Sequence, residues 1–515
     1  MIMNVKKENI VLKDKAIAII FWFLICIGIF TFFTVSHPLY IYDTDDWTYI
    51  ASSRHAWPSV KFWNPTKILP ETMMPLTAEM GIHFIMPITN DYIGSLAYAF
   101  ALFLSFIIVM YLRSLEKMLE SFYRTDNKVT WLILLLFVFL HFLPFNNSLT
   151  NNKHMFFAGD VTCVYNYVIP GLLNASMVMY MMKCQKFDWN NRNKLIKNSF
   201  IVLLVYLCIN SNMFHSVILI SFIGTKLICE LTKKNMIRKD LNERYLIRFV
   251  KEYIKRNVFE LTILIAWVVS IIMESKGGRA QWASSRNLFN LPIKETLFNF
   301  IESIKCIRQF FWIGVFISIG VSLGIYLSSI RKKERVCYDD IFIKCFCKEL
   351  LSLILTWAYL VLLCAKVSPG YIQNSSIMFS WMFWIVLMSA SSLAYIVHKR
   401  PKIVLVLPIL IFIIVCETVI DGKTYAENNI VAYIDIDVVK QLDENIIRQV
   451  VEADRIGKDE VEVLVPVHSS ADWPIATSYG GERIANTLLC HGIVHNKIRI
   501  KLIPDQSINN MFHLQ

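Results

Sequence analysis

The chain has 515 residues, of which 55% are hydrophobic and 18% are charged, and its mean hydropathy is +0.47. This apolar content exceeds what a soluble core can use, so the composition excludes an ordinary soluble globular domain and indicates a polytopic membrane protein. The net charge of +12 could suggest nucleic-acid binding, but the basic residues follow the predicted membrane topology, so no nucleic-acid partner is expected. Most of the twelve cysteines lie in apolar runs or basic loops, which predicts no disulfide framework.

Eleven apolar runs are predicted to cross the membrane. The first, residues 16–36, follows four lysines and lacks a small-residue cleavage site, so we interpret it as a signal anchor. Nine of the others approach or exceed the roughly twenty helical residues that about 30 Å of hydrocarbon requires. A shorter run, 199–210, is counted as a span that turns tightly at Asn210 to Asn212. The ten runs after the first are residues 90–112, 129–145, 164–183, 199–210, 213–231, 258–273, 309–330, 349–365, 376–398 and 402–419. The prediction is an all-α polytopic fold with about eleven transmembrane helices.

The basic residues predict the orientation of these helices. With the N-terminus in the cytoplasm, the cytoplasmic segments hold 32 lysines and arginines, whereas the outer loops before residue 376 hold 11. The positive-inside rule favours this arrangement. It places the loop 37–89 and the tail outside a multi-pass cell-membrane protein.

The tail is predicted to be a small extracytoplasmic α/β domain. Residues 461–467 and 497–503 alternate like strands, and residues 438–454 and 482–490 have a helical pattern. We therefore divide the chain into a transmembrane domain, 1–419, and a tail domain, 420–515.

The first outer loop, 37–89, contains the stretch "DTDDWTYI" with Asp43, Asp45 and Asp46. A carboxylate beside a low-dielectric wall gains proton affinity and can take a proton from a hydroxyl nucleophile. Aromatic faces stack on sugar rings, and lysine or arginine can hold a lipid phosphate. The same loop supplies Trp57 and Lys67, although its aromatic residues are also typical of an interfacial belt.

One span followed by Asp45, Asp46 and Tyr49 in the first outer loop resembles the GT-C superfamily of polytopic glycosyltransferases, which use polyprenyl-phosphate-linked sugars outside the membrane. The stretch "SSRHAWPSVKFWNPTKILPE" further resembles poorly characterised bacterial members near the glucosyltransferases that modify surface polysaccharides. The resemblance implies that Asp45 is the general base of an inverting transfer, with Asp46 as its acidic neighbour. Tyr49 follows Asp45 by one helical turn.

Members of this group often have a second functional acid in the outer loop after the third span. Asp160 is the only carboxylate there, so it is our candidate. His154 in the same loop is expected to be a solvated histidine. Tyr165 and Tyr167 could line the sugar pocket or form an aromatic belt.

Further residues are candidates for binding the substrate. Lys276, Arg279 and Arg286 could hold the phosphate of the lipid carrier, or they could contact anionic lipid headgroups. Lys67 is another phosphate candidate, and Glu71 lies near it in the sequence. No metal cofactor is expected, although the aspartates could supply oxygen ligands to Mg²⁺ or Mn²⁺.

The predicted activity is transfer of a sugar from a polyprenyl-phosphate donor to a cell-surface glycan or a lipid-linked acceptor. A lipid-linked oligosaccharide transporter or flippase is an alternative, but such proteins tend to have inverted repeats and midplane charges. A polysaccharide polymerase or ligase remains open through Arg279 and Arg286. A non-catalytic assembly subunit remains open as well.

Overall fold

The computed structural model describes residues 2–41, 43–51, 65–142, 144, 154–158, 160–184, 195–235, 243–276, 290–334, 336–411, 413, 436–467 and 477–514. Helix dominates these residues. Numbered in chain order, the helices are α1 Ile2–Thr31, α2 Thr44–Tyr49, α3 Met74–Met80, α4 Met86–Thr89, α5 Tyr92–Tyr123, α6 Asn127–Phe139, α7 Val161–Cys163, α8 Ile169–Lys183, α9 Leu195–Ile209, α10 Met213–Asn235, α11 Glu243–Arg256, α12 Val258–Ser275, α13 Ile293–Lys305, α14 Gln309–Arg331, α15 Cys337–Val367, α16 Ser375–Lys399, α17 Ile436–Arg455, α18 Gly480–Cys490 and α19 Gln506–Met511. The strands are β1 Glu460–Val465 and β2 Arg499–Pro504.

Eight helical segments of the described chain are long and apolar enough to cross a membrane. They are Lys15–Ser36, Tyr92–Tyr123, Val161–Lys183, Met213–Thr232, Val258–Ser275, Gln309–Arg331, Cys337–Val367 and Ser375–Lys399. Each overlaps a predicted span, but Cys337–Val367 begins well before the predicted start at 349 and Tyr92–Tyr123 ends well after the predicted end at 112. A bilayer core offers no water to backbone groups, so a continuous helix is the structure that satisfies them there.

The other three predicted spans form shorter apolar helices, Asn127–Phe139, Leu195–Ile209 and Pro401–Ile411. The first two have 13 and 15 residues. At 1.5 Å per residue they are about 20 Å long, which is less than the hydrocarbon thickness. The total of eleven crossings therefore stays a prediction.

The helix α16 forms the centre of the bundle, and 94% of its 18-residue apolar stretch is buried. Serines let its neighbours approach closely and bond across the interface. Ser389 shares a hydrogen bond with Ser318 of α14 at 2.8 Å, and Ser380 donates to the carbonyl of Phe214 at 2.7 Å. At the periphery, Phe23, Ile265 and Phe316 are each more than 60% exposed, as side chains facing lipid would be.

The two strands predicted in the tail are present and pair in parallel, with Val463 opposite Leu502. The predicted helices are present as α17 and α18. Ile446, Val463 and Leu488 belong to the same continuous hydrophobic core as the bundle, so these elements pack onto the helices. Separate domain status and an extracytoplasmic location stay predictions, and the proposed boundary at 419 lies outside the described residues.

Segments that the sequence assigns to the outer side meet at one end of the bundle. The N–H of Ile68 donates to the carbonyl of Asn210, and the Nζ atom of Lys67 lies 3.9 Å from the Oε1 atom of Glu274. The α18 region packs against α2 at the same end. These contacts bring the predicted site residues together at that end of the bundle.

Candidate functional site

The short helix α2 begins at an aspartate. Asp43 is its N-cap, and its Oδ1 atom accepts a hydrogen bond from the backbone N–H of Asp45 at 2.7 Å. The carboxylate of Asp46 in turn accepts from the backbone N–H of Asp43 at 3.4 Å, which completes a capping box. Asp43 and Asp46 thus stabilise the first turn of α2, while Asp45 remains half-exposed.

Asp46 is fully buried and joins the first loop to α7. Its Oδ1 atom accepts two hydrogen bonds from Thr162, one from the backbone N–H and one from the hydroxyl, each at 2.7 Å. Hydrogen bonds to a charged group contribute about 1.5–3 kcal/mol each. Asp46 is therefore a residue that holds the site together, and Asp45 has the more accessible carboxylate of the pair.

Asp160 is the N-cap of α7 and lies close to the first-loop acids. Its Oδ1 atom accepts from the backbone N–H of Cys163 at 2.5 Å. Burial raises the pKa of Asp160 to about 6, the charges of Asp43 and Asp45 add to this rise, and the Cys163 N–H opposes it. Asp160 as a whole is half-buried.

The structure therefore brings together four acids from two loops that are more than 100 residues apart: Asp43, Asp45, Asp46 and Asp160, here called the acid cluster. Burial, with the charges of Asp43 and Asp45 nearby, raises the proton affinity of Asp160. A carboxyl group with a pKa of about 6 can exchange protons near neutral pH. Within the described residues, no set of three or more His, Cys, Asp or Glu side chains is arranged to hold a metal ion.

The predicted aromatic residues have different environments. Tyr49 is half-buried on the same helix as Asp45. Tyr165 is fully buried and stacks on Phe103, with ring centroids 5.7 Å apart, so it is part of the hydrophobic core. Tyr167 is half-buried and meets the ring of His215 edge-on. Trp57 lies outside the described residues.

The predicted cations are only partly described. Lys67 faces Glu274 at the wall of a polar cavity of about 20 Å³, which is room for about one water and not for a phosphate group. Lys276 is exposed and follows Glu274 by two residues in the sequence. Glu71 is half-buried and donates its backbone N–H to the carbonyl of Lys67. Arg279 and Arg286 lie outside the described residues.

The expectation for His154 is wrong. Its side chain is fully buried, with its ring 5.7 Å from that of His37 and 4.9 Å from that of Phe142. Burial lowers the pKa of His154 well below its ordinary value, so the imidazole is neutral at physiological pH. The aromatic residues of the first span and of the loop around His154 enclose it, which the loop sequence alone does not reveal.

Asp443 is not among the site residues that the sequence predicts; it comes from α17 and lies near Asp46. Its side chain is 3% exposed, and burial, followed by the charge of Asp46, raises its pKa well above the ordinary value. A signal was present in the sequence. Asp443 occupies a core position on the apolar face of an amphipathic helix, four residues after Val439 and three before Ile446, and charged residues there are rare.

Comparisons of the chain with models of protein families, with curated proteins and with solved structures give no match. The class of protein is set by the helices: this is a predominantly helical membrane protein whose acid cluster lies at one end of the bundle.

Proposed function

We propose that the protein is a membrane glycosyltransferase of the GT-C type. It moves a sugar from a polyprenyl-phosphate-linked donor to a cell-surface glycan or a lipid-linked acceptor, outside the membrane. The observation that supports this most is the meeting of Asp45 with Asp160 beside the end of an apolar helical bundle. A transfer from a lipid carrier needs a proton acceptor at such a boundary.

In the proposed reaction, the carboxylate of Asp45 takes the proton of the acceptor hydroxyl. The hydroxyl oxygen forms a bond to the anomeric carbon of the sugar, and the bond from that carbon to the phosphate oxygen breaks. Polyprenyl phosphate leaves with the electron pair, and the configuration at carbon is inverted. Asp46 keeps α2 in place through Thr162, and Asp160 lies beside the base.

An apolar groove between α9 and α12 supports the proposal that the donor is linked to a lipid. The groove encloses about 420 Å³ and is lined by Val202, Val205, Ile209, Val258, Ile263 and Ala266. Ile209 also lines the small polar cavity at Lys67, so an isoprenoid chain in the groove would direct its phosphate toward that lysine. The cavity at Lys67 has no room for a phosphate as it stands, so binding would require Lys67 to separate from Glu274 and the cavity to open. Lys276 follows at the end of the same helix.

The proposal includes a multi-pass topology with a cytoplasmic N-terminus. At the other end of the bundle, the Nζ atom of Lys399 lies 2.8 Å from the Oδ1 atom of Asp339, and both residues belong to segments predicted to be cytoplasmic. Lys226 pairs with Glu260 near the predicted cytoplasmic ends of the spans 213–231 and 258–273. These contacts support a bundle in which one end faces the outside and the other end faces the cytoplasm.

The test uses purified full-length protein and a panel of polyprenyl-phosphate sugars, with release of polyprenyl phosphate as the signal. Asp45→Asn should reduce release about 100-fold or more, because the amide cannot accept the hydroxyl proton. Asp459→Asn is the matched control, since that aspartate is exposed in the tail, and it should retain activity. Full activity in Asp45→Asn would disprove the mechanism, and an inactive panel with diverse acceptors would disprove the function.

A further inference from the structure

The tail contacts α2 through the C-terminal carbonyls of that helix. A helix leaves its last carbonyls without partners inside the helix. The hydroxyl of Thr487, on α18, donates to the carbonyl of Trp47 at 2.5 Å, and the Nε2 atom of His491 lies 3.0 Å from the carbonyl oxygen of Ile50. Thr487 and His491 are four residues apart, so both lie on the same side of α18 and its continuation.

The contacts of His491 determine its tautomer. A carbonyl oxygen can only accept, so Nε2 must carry the proton that goes to Ile50. Nδ1 is then the acceptor for the hydroxyl of Tyr92, which lies 2.7 Å away at the start of α5. Burial lowers the pKa of His491, which favours this neutral form. The imidazole thus connects the end of α2 to the start of a long apolar helix.

A second connection comes from α17. Lys440 forms an ion pair with Asp91, the N-cap of α5, at 2.6 Å. One turn later, Asp443 is enclosed near Asp46, and its Oδ2 atom has no hydrogen-bond partner among the residues that the structure describes. A buried polar atom without a partner needs an explanation such as a water or a functional role.

A short helix depends on such contacts. An isolated six-residue helix is unstable in water, because nucleation costs more than a few hydrogen bonds return. Thr162 anchors α2 on one side, and Thr487 and His491 anchor it on the other. The position of Asp45 therefore depends on residues more than 400 positions later in the chain.

We propose that the tail positions the first-loop site. Thr487 and His491 hold α2 in place, and Asp443 is a positioning residue behind Asp46. The Oδ2 atom of Asp443 makes no hydrogen bond to the described residues, so a small rotation would let the protonated group donate toward the carboxylate of Asp46, whereas an ionised one would repel it. This inference rests on the proposed function for its catalytic consequence. Its structural part stands on the contacts alone.

The structural part is tested by hydrogen–deuterium exchange of the full-length protein in detergent. The double variant Thr487→Val with His491→Leu should speed amide exchange in residues 44–51 about ten-fold or more, and exchange within α5 should remain slow as a check on folding. His495→Leu is the matched control, because that histidine is exposed in the same region. Thr487→Ser keeps the hydroxyl and should behave like wild type. Unchanged exchange in the double variant would overturn the proposal, and so would equal acceleration in the His495 control.

The positioning part is tested with Asp443→Leu and Asp443→Asn. With an active donor, Asp443→Leu should lower kcat about ten-fold with little change in KM, whereas Asp443→Asn should recover most of the rate because its amide retains a donor. Glu444→Gln, at a more exposed neighbour, is the control. Wild-type kcat in Asp443→Leu would overturn the role of Asp443. If wild type transfers no sugar at all, the proposed function fails, and the exchange result still decides whether the tail holds α2.

Discussion

Asp45 and Asp46 are neighbours in the sequence but have different surroundings. Asp46 is fully buried with two hydrogen bonds from Thr162, and Asp45 is half-exposed next to Asp160. The resemblance to the family's acidic motif covers both residues as one pair. The structure separates them, because successive residues on a helix point about 100° apart.

Replacing Asp46 should therefore affect stability more than replacing Asp45. Asp46→Ala leaves the buried N–H of Thr162 without this acceptor and its hydroxyl with only the weak sulfur acceptor of Met74, which should cost about 2–3 kcal/mol and lower the melting temperature by several degrees. Thermal unfolding in detergent measures this change. Asp45→Asn serves as the control and should melt close to wild type; equal melting temperatures for both variants would contradict the assignment.

Asp443 should make stability depend on pH. Its pKa is raised in the folded protein, so ionisation favours the unfolded chain as pH rises above the ordinary value of 3.8. Asp443→Asn removes this penalty. The variant should melt higher than wild type at pH 7 to 8, and the gap should shrink as pH falls toward 4. A constant gap across this range would show that Asp443 does not titrate as inferred.

At the scale of elements, α11 has an apolar stripe that the described part of the chain leaves exposed. Ile247, Val250 and Ile254 are 64%, 45% and 48% exposed, whereas Tyr253 is half-buried and its hydroxyl donates to the carbonyl of Leu227 at 3.1 Å. The opposite face is rich in lysine and arginine, and the apolar helix α12 follows directly. This pattern is typical of a helix that lies on an anionic membrane surface.

The membrane contact of α11 can be measured with spin labels on the reconstituted protein. A label at Val250→Cys should be reached by oxygen, which concentrates in lipid, and a label at Glu252→Cys should be reached by a water-soluble nickel complex. The two positions lie on different faces of the same helix, so each controls for the other. If both labels behave as water-exposed, α11 does not lie on lipid.

At the scale of the whole molecule, the arrangement depends on which end of the bundle faces the cytoplasm. The acid cluster and the tail share one end, and the contact between Asp339 and Lys399 lies at the other. Because the cytoplasmic segments are predicted to hold most of the basic residues, we expect the acid cluster outside.

Native cysteines allow a direct test of this orientation. Cys490 in the tail and Cys337 at the start of α15 are both exposed. In intact cells, a membrane-impermeant thiol reagent should label a variant that retains only Cys490. A variant that retains only Cys337 should be labelled only after permeabilisation. The opposite pattern would invert the topology and place the acid cluster on the cytoplasmic side.

The sequence by itself determined the class of protein, the positions of the eight long apolar helices and the strands and helices of the tail. These are local properties, because hydropathy and periodicity depend on residues within a window of about twenty. It also identified Asp45, Asp46 and Asp160 as a related set, but it did so through resemblance and loop position. Only the tertiary structure decided that Asp46 binds Thr162, that His154 is buried and that Asp443 lies behind Asp46. The physical reason is that burial and proton affinity depend on which distant segments pack together, and no short window of sequence contains both partners.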